Sequence, residues 1–139
     1  TSRGSSGRPA TPASDAPMID AEQFAREWVR AWNEHDIEAV LAHFDDAVLF
    51  TSPVALKVLP STGGVVQGKA ALREYWTTAL VSVPDLEFAV EGVFGGIDTV
   101  VIAYRNQNGG VVSEVLRFNG DGLVIEGHAT HLIRETPPT

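Results

Sequence analysis

The sequence predicts an α+β domain: a cone of three N-terminal helices packed on a curved antiparallel sheet. Three observations predict it. Apolar residues recur at helical spacing early in the chain, where Phe24, Trp28 and Trp32 stand four apart. After residue 86 the period drops to two and the residues become β-branched and aromatic. The order helix, helix, strand, helix, then a run of strands is an α+β order, not an alternating one.

Residues 1–18 are Ser, Gly, Pro, Ala, Thr and Arg with no apolar period, and read as a flexible leader before a domain spanning 19–135. Asp20 is placed to cap the first helix, with Gln23 as its capping-box partner. Asn33-Glu34-His35-Asp36 ends that helix, and Asp36 caps a second with Ile37, Val40, Leu41 and Phe44 as its buried stripe. Val48–Ser52 is a short strand stopped by Pro53. Residues 53–67, with two Pro and a Gly-Gly, read as a long irregular rim or lid. Gly68 opens a third helix with Leu72, Tyr75, Trp76, Ala79 and Leu80 on its apolar side, and Pro84 ends it. The strands Leu86–Phe94, Thr99–Gln107, Val111–Phe118 and Leu123–Ile133 follow, separated by Gly95-Gly96, Asn108-Gly109-Gly110 and Asn119-Gly120-Asp121-Gly122, all tight-hairpin chemistry.

Strand residues alternate between faces. Leu86, Phe88, Val90 and Phe94 form one inward set, and Val112, Glu114, Leu116 and Phe118 another, so Glu114 is carried toward the helices. A carboxylate on an inward face is costly unless paired or used. Val100, Ile102, Tyr104, Val115 and Val124 are expected to look outward, giving the sheet an apolar back that a homodimer would cover.

Composition removes several function classes. The net charge of −8, with +1 on residues 1–18, leaves −9 on the domain, a poor match for nucleic acid or an anionic membrane. The absence of cysteine excludes disulfides and thiolate chemistry and fits a reducing, cytoplasmic setting. The four histidines show no HxH or HExxH spacing, so no metal site is predicted. Neither Gly-Gly pair belongs to a phosphate-binding motif, and no other cofactor motif is present.

The runs Trp28-Val29-Arg30-Ala31-Trp32-Asn33-Glu34-His35-Asp36, Phe44-Asp45-Asp46-Ala47-Val48, Ser52-Pro53, Gly68-Lys69-Ala70-Ala71-Leu72 and Phe118-Asn119-Gly120 resemble the nuclear transport factor 2-like superfamily, whose fold is a cystatin-like roll. They are most similar to its SnoaL-like and ketosteroid-isomerase-like branch, over residues 20–133. The resemblance implies a deep pocket between helices and sheet, often a dimer, and functions ranging from isomerases, cyclases, dehydratases and epoxide hydrolases to non-catalytic binding domains. Ketosteroid isomerase uses a base Asp with a Tyr and a protonated Asp as oxyanion donors. The resemblance places Ser52 at the base position, Trp28 at the Tyr and Glu114 at the second acid, so only the last keeps its chemistry.

Glu114 is therefore the leading catalytic candidate, with His131 and Tyr75 as assisting groups. In apolar surroundings its pKa rises, which suits proton transfer near neutrality. The alternative is an ion pair with Arg105, which a two-residue Asn108-Gly109 or Gly109-Gly110 turn would bring opposite or diagonal to it. A Gly120-Asp121 turn would set Gly127 opposite Glu114 and leave His131 ~13 Å from Gly127, either to meet a bridging substrate or as a rim residue bonded to water. Trp28, Trp32, Phe50, Ser52, Trp76, Arg105, Leu116, Gly127 and Ala129 complete the candidate binding set, although the aromatics among them serve equally as core. His128 should face the back of the sheet, His35 solvent, and His43 packing or the surface.

Three functions remain open: an acid–base enzyme on a small apolar substrate, needing no cofactor; a binding or accessory domain; and a dimerisation module whose pocket an ion pair closes.

Overall fold

The computed structural model describes residues 19–135; the leader expected over 1–18 lies outside them. Helix α1 spans Ala21–Asn33 and α2 Ile37–Leu41. Asp20 caps α1, its carboxylate accepting from Gln23 N at 3.1 Å. The reciprocal half of the capping box does not form, because the Gln23 amide turns to Glu27 at 3.2 Å. Asp36 caps α2 in the same way through Ala39 N. Phe44, expected on the second helix, instead opens strand β1, Phe44–Thr51.

The segment expected to be irregular is organised. Ser52 caps a short helix α3, Pro53–Val58, accepting from Val54 N at 3.1 Å. Pro53 ends the strand but also suits the first turn of a helix, where its missing N–H costs nothing. A turn of 3-10 helix, Pro60–Thr62, leads through Gly63 and Gly64, both at positive φ, into β2, Val65–Gln67, which folds back antiparallel on β1. Helix α4, Lys69–Ser82, then turns Leu72, Tyr75, Trp76 and Ala79 inward.

Strands β3 (Ala89–Gly96), β4 (Thr99–Arg105), β5 (Val111–Phe118) and β6 (Val124–His131) complete one sheet in the order β2-β1-β6-β5-β4-β3. The sheet is not wholly antiparallel. β1 and β6 run parallel, with Phe50 beside Gly127 and Thr51 beside His128. No direct hairpin joins this pair; α4 and the whole meander intervene, so local turn geometry does not impose antiparallel pairing.

Three register features correct the expected faces. First, β4 and β5 are joined by a five-residue loop, with Arg105 opposite Val111 and Ile102 opposite Glu114. Asn106 builds that loop: its Oδ1 accepts from Asn108 N at 3.0 Å and Gly110 N at 2.9 Å. Relative to a two-residue turn this moves the register by an odd number of residues, which exchanges the faces of β4. Val100, Ile102 and Tyr104 therefore point inward and are buried, not outward. Second, a bulge at Glu91 shifts the β3–β4 register between Val90 and Gly92. Beyond it Phe94 pairs with Val101 on the outer face and is 59% exposed, against the inward position expected. Third, Asn119 organises the β5–β6 loop, accepting from Asp121 N and Leu123 N, and an extra residue on β6 shifts the register between Arg117 and Phe118. Glu114 then faces Ala129, Leu116 faces Gly127, and Val124 turns into the core.

The core lies between α1, α4 and the concave face of the sheet. Trp28 is 1% exposed, stacked on Phe88 at 5.7 Å and tilted against Tyr104 at 5.3 Å. Trp32 meets the Trp76 ring edge-on at 4.9 Å. On the outer face, Thr51 Oγ1 lies 2.6 Å from His128 Nδ1, His128 Nε2 lies 2.7 Å from Glu126, and Arg117 donates to Glu126. Of the five residues expected to make the back apolar, Val115 alone faces outward, joined there by Phe94 and Val101.

Candidate functional site

A cavity of about 120 Å³ opens between α4, the start of α3 and the concave face of the sheet. Its deep part is aromatic and aliphatic: Trp32, Phe50, Trp76, Phe88, Val112 and Ala129. Val54, Val83, Leu86, Asn106, Gln107 and His131, all half-buried, form the rim. The volume is comparable to engineered apolar cavities that hold a single benzene ring.

Four polar groups lie inside. Glu114, 8% exposed, reaches in from the middle of β5. Its Oε1 accepts a hydrogen bond from the Tyr104 hydroxyl at 3.1 Å. Burial pushes the Glu114 carboxyl up to about 7, against the opposing pull of that hydrogen bond. Near neutral pH both protonation states are populated, so the group can donate or accept a proton. Burial also drives the Tyr104 phenol upward, reinforced by the Glu114 charge beside it, so it stays a neutral donor. Tyr75 on α4 and Ser52 at the end of β1 form a second pair, their hydroxyl oxygens 3.1 Å apart. Burial holds the Tyr75 phenol up at about 12, with the Ser52 hydrogen bond opposing and the Glu114 charge adding.

Of the residues expected at the site, Glu114, His131, Tyr75, Trp32, Phe50, Ser52, Trp76 and Ala129 line this cavity. Trp28, Leu116 and Gly127 do not. Trp28 supports Tyr104 and Phe88 from behind. Gly127 leaves room for neighbouring side chains, since a Cβ there would come within 2.9 Å of Phe50 and 3.0 Å of Leu116. It does not sit opposite Glu114, because the Asn119 loop and the bulge move the pairing by two residues. That shift brings His131 opposite Val112, on the diagonal from Glu114, a spacing of about 7–8 Å in antiparallel pairs. Burial lowers the His131 pKa and the Lys57 charge lowers it further, so its imidazole is neutral at pH 7.

Arg105 is on the wrong face for the expected ion pair. It is exposed on the outer side and pairs with Glu91. Arg105→Ala should cost no more than about 1 kcal/mol, as exposed pairs do. It should also leave the Glu114 titration, followed by carboxyl-labelled NMR, where it was. A shifted titration would restore the ion-pair reading.

Sequence reasoning missed Tyr104, the one side chain among the described residues bonded to Glu114. The signal was present in the alternation Val100, Ile102, Tyr104, whose bulk matches the inward set of β5 better than Thr99, Val101, Ala103 and Arg105 do. Among the described residues no three His, Cys, Asp or Glu are grouped to hold a metal. No described helix is long and apolar enough to cross a membrane.

A SnoaL-like domain model matches residues 25–136. The chain belongs to the SnoaL-like family. A SnoaL-like protein of unknown function from Burkholderia thailandensis is similar at 36% identity and TM-score 0.76, over 84% of this chain and 99% of that one. A candidate isomerase of the SnoaL-like family from Agrobacterium tumefaciens shares the fold at 16% identity and TM-score 0.66, over 83% and 99%. TerC, co-crystallised with polyporic acid, does so at 16% identity and TM-score 0.66, over 81% and 91%. No curated protein sequence matches the chain significantly. The SnoaL-like fold agrees with the predicted α+β cone, a curved six-stranded sheet with helices over its concave face.

Proposed function

We propose that this SnoaL-like domain is an acid–base enzyme, of isomerase, cyclase, dehydratase or hydrolase type, on a small and mainly apolar organic molecule, with Glu114 as the proton-transfer group. The observation that carries the reading is the Glu114 carboxyl, buried among aromatic walls at the bottom of an open cavity and poised near pH 7. Tyr104 orients the carboxyl through Oε1, which leaves Oε2 to exchange a proton with a ligand. Tyr75 and the neutral His131 are the assisting polar groups, and Trp32, Phe50, Trp76 and Ala129 set the ring-sized shape. That the fold relative TerC was co-crystallised with polyporic acid supports an organic ligand.

The test is proton exchange. Small cyclic and aryl ketones are incubated with the protein in D2O, and α-proton loss is followed by NMR. Exchange should occur with the parent protein and fall at least ~100-fold in Glu114→Gln, the usual loss when a positioned acid–base group is removed. Exchange that survives the substitution overturns the proposal.

A second reading, ligand binding without chemistry, is favoured by Ser52. It stands where the resemblance implies a base acid, and its oxygen already accepts from Val54 N. Thermal stabilisation by ligands without exchange or product would select it. A homodimer through the outer sheet face is part of the same proposal, supported by the contiguous Phe94, Val101 and Val115.

A further inference from the structure

The outer face of the sheet carries a reactive grouping that the cavity does not use. Thr51 on β1 and His128 on β6 are paired across parallel strands, and Thr51 Oγ1 lies 2.6 Å from His128 Nδ1. Residues two apart on a strand share a face, so Glu126 joins them on the same side. Its Oε2 lies 2.7 Å from His128 Nε2. Arg117, opposite Glu126 on β5, donates to Glu126 Oε1 from Nη2 at 2.9 Å and from Nε at 3.2 Å. The order is hydroxyl, imidazole, carboxylate, guanidinium, with every link within hydrogen-bond reach.

The role of each group follows from its charge. The bonds from His128 and Arg117 hold the Glu126 carboxyl below the usual carboxylate range, so it is ionised and only accepts. In the neutral imidazole the proton therefore sits on Nε2, toward Glu126, and the Nδ1 lone pair is aimed at Thr51. His128 is the one side-chain partner of the Thr51 hydroxyl among the described residues, so the Thr51 proton lies toward Nδ1. This is the relation of nucleophile, base and orienting acid that acyl transfer to a hydroxyl requires.

The grouping is reachable from solvent. The His128 and Glu126 side chains are 35% and 34% exposed, and Thr51 is half-buried. Leu49, two residues before Thr51, and Val65, its partner on the edge strand β2, share its face. Leu49 is half-buried and Val65 exposed, so they set a small apolar surface beside the hydroxyl. Phe94 and Val101, which support the homodimer, lie on β3 and β4, and Val101 is three strands from Thr51, ~14 Å away.

We propose that Thr51 is a second reactive centre, a nucleophile that takes a short apolar acyl group from an activated ester, with His128 as its base and Glu126 as the positioning residue. Aryl esters and thioesters are the substrate class, because the grouping supplies nucleophile and base and a good leaving group supplies the rest. Thr51 Oγ1 bonds to the acyl carbon, and its proton passes to His128 Nδ1. The bond to the leaving oxygen or sulfur breaks, and that atom keeps the electron pair and takes the proton from Nδ1. A water molecule that gives its proton to the same Nδ1 then attacks the Thr51 ester. It releases the carboxylic acid, and Thr51 Oγ1 recovers its proton.

The test uses p-nitrophenyl acetate on the full chain. Nitrophenol release is followed by absorbance, and peptide fragmentation in a mass spectrometer separates an acetyl group on Thr51 from one on Ser52. The acetyl group should be found on Thr51. His128→Gln should slow Thr51 acetylation at least ~100-fold, the usual loss of a positioned base. Thr51→Ser should keep the reaction, and Thr51→Val, which keeps the shape without the hydroxyl, should end it. A cooperative urea transition shows that each variant is folded. Nitrogen NMR of neutral His128 should place its proton on Nε2 in the parent and on both nitrogens in Glu126→Ala. An acetyl group confined to other residues, an unchanged Thr51 rate in His128→Gln, or a parent imidazole protonated on Nδ1 overturns the proposal. None of these results bears on proton exchange in the cavity, which opens on the opposite face of the sheet.

Discussion

Glu114→Gln is expected to remove a segment of the pH dependence of folding. The carboxyl sits at about 7 in the folded protein against an ordinary 4.5, because burial disfavours its charge. Between those values the folded state holds a proton that the unfolded state has released, so stability falls as pH rises. The contribution is fully present below about pH 4.5 and is lost as pH passes about 7. At ~1.4 kcal/mol per pH unit, this amounts to at most roughly 3 kcal/mol. His43 and His131 act in the opposite sense, since burial lowers both and their contribution is lost as pH falls. They are common to parent and variant and cancel in the difference. Urea unfolding at pH 5 and pH 8 measures it. The parent's advantage over the neutral Gln variant should grow by about 2–3 kcal/mol toward acid pH. Parallel pH profiles would show that Glu114 ionises as freely as a surface carboxyl.

Trp28→Ala should be the most damaging substitution away from the cavity lining. Its indole is 1% exposed and packs on Phe88 and Tyr104. Removing a buried aromatic side chain of this size costs about 3–5 kcal/mol in lost transfer energy and cavity formation. That is a large part of the ~5–15 kcal/mol by which a domain is stable. The loss should appear as a lower urea midpoint with an unchanged slope. Tyr104 would lose the wall that holds its hydroxyl on Glu114, so α-proton exchange should weaken beyond what the unfolded fraction explains. Trp28→Phe keeps a ring on Tyr104 and should recover most of both effects. A loss below 1 kcal/mol would mean that this part of the core relaxes around the gap.

Much of the site was legible because burial and hydrophobic period coincide on single strands. Glu114 falls among Val112, Leu116 and Phe118, and that alternation alone carries it inward. Tyr75 and Trp76 come inward with Leu72 and Ala79 at helical spacing. Tyr104 was legible only in the bulk of the alternation Val100, Ile102, Tyr104, and the turn residues argued for the opposite face. Its face depends on whether two or five residues make the β4–β5 connection, and Asn108-Gly109-Gly110 is compatible with both. The choice is made by Asn106, whose side chain bonds two backbone N–H groups of the loop. Arg105 left the site through the same register change that brought Tyr104 into it.

Helices α1, α2 and α4, strands β1 and β3–β6, the family and the inward acid were determined by local sequence, because apolar period and turn residues act over a few neighbours and do not need the rest of the chain; α3 and β2, in the segment expected to be irregular, were not. Tertiary structure alone decided the partners: Tyr104 for Glu114, Tyr75 for Ser52, and β6 running parallel to β1. Side chains in a strand repeat every two residues, so one residue of slip at a loop or bulge exchanges its faces. That slip is settled by hydrogen bonds and packing between segments far apart in the chain, where no local pattern reaches.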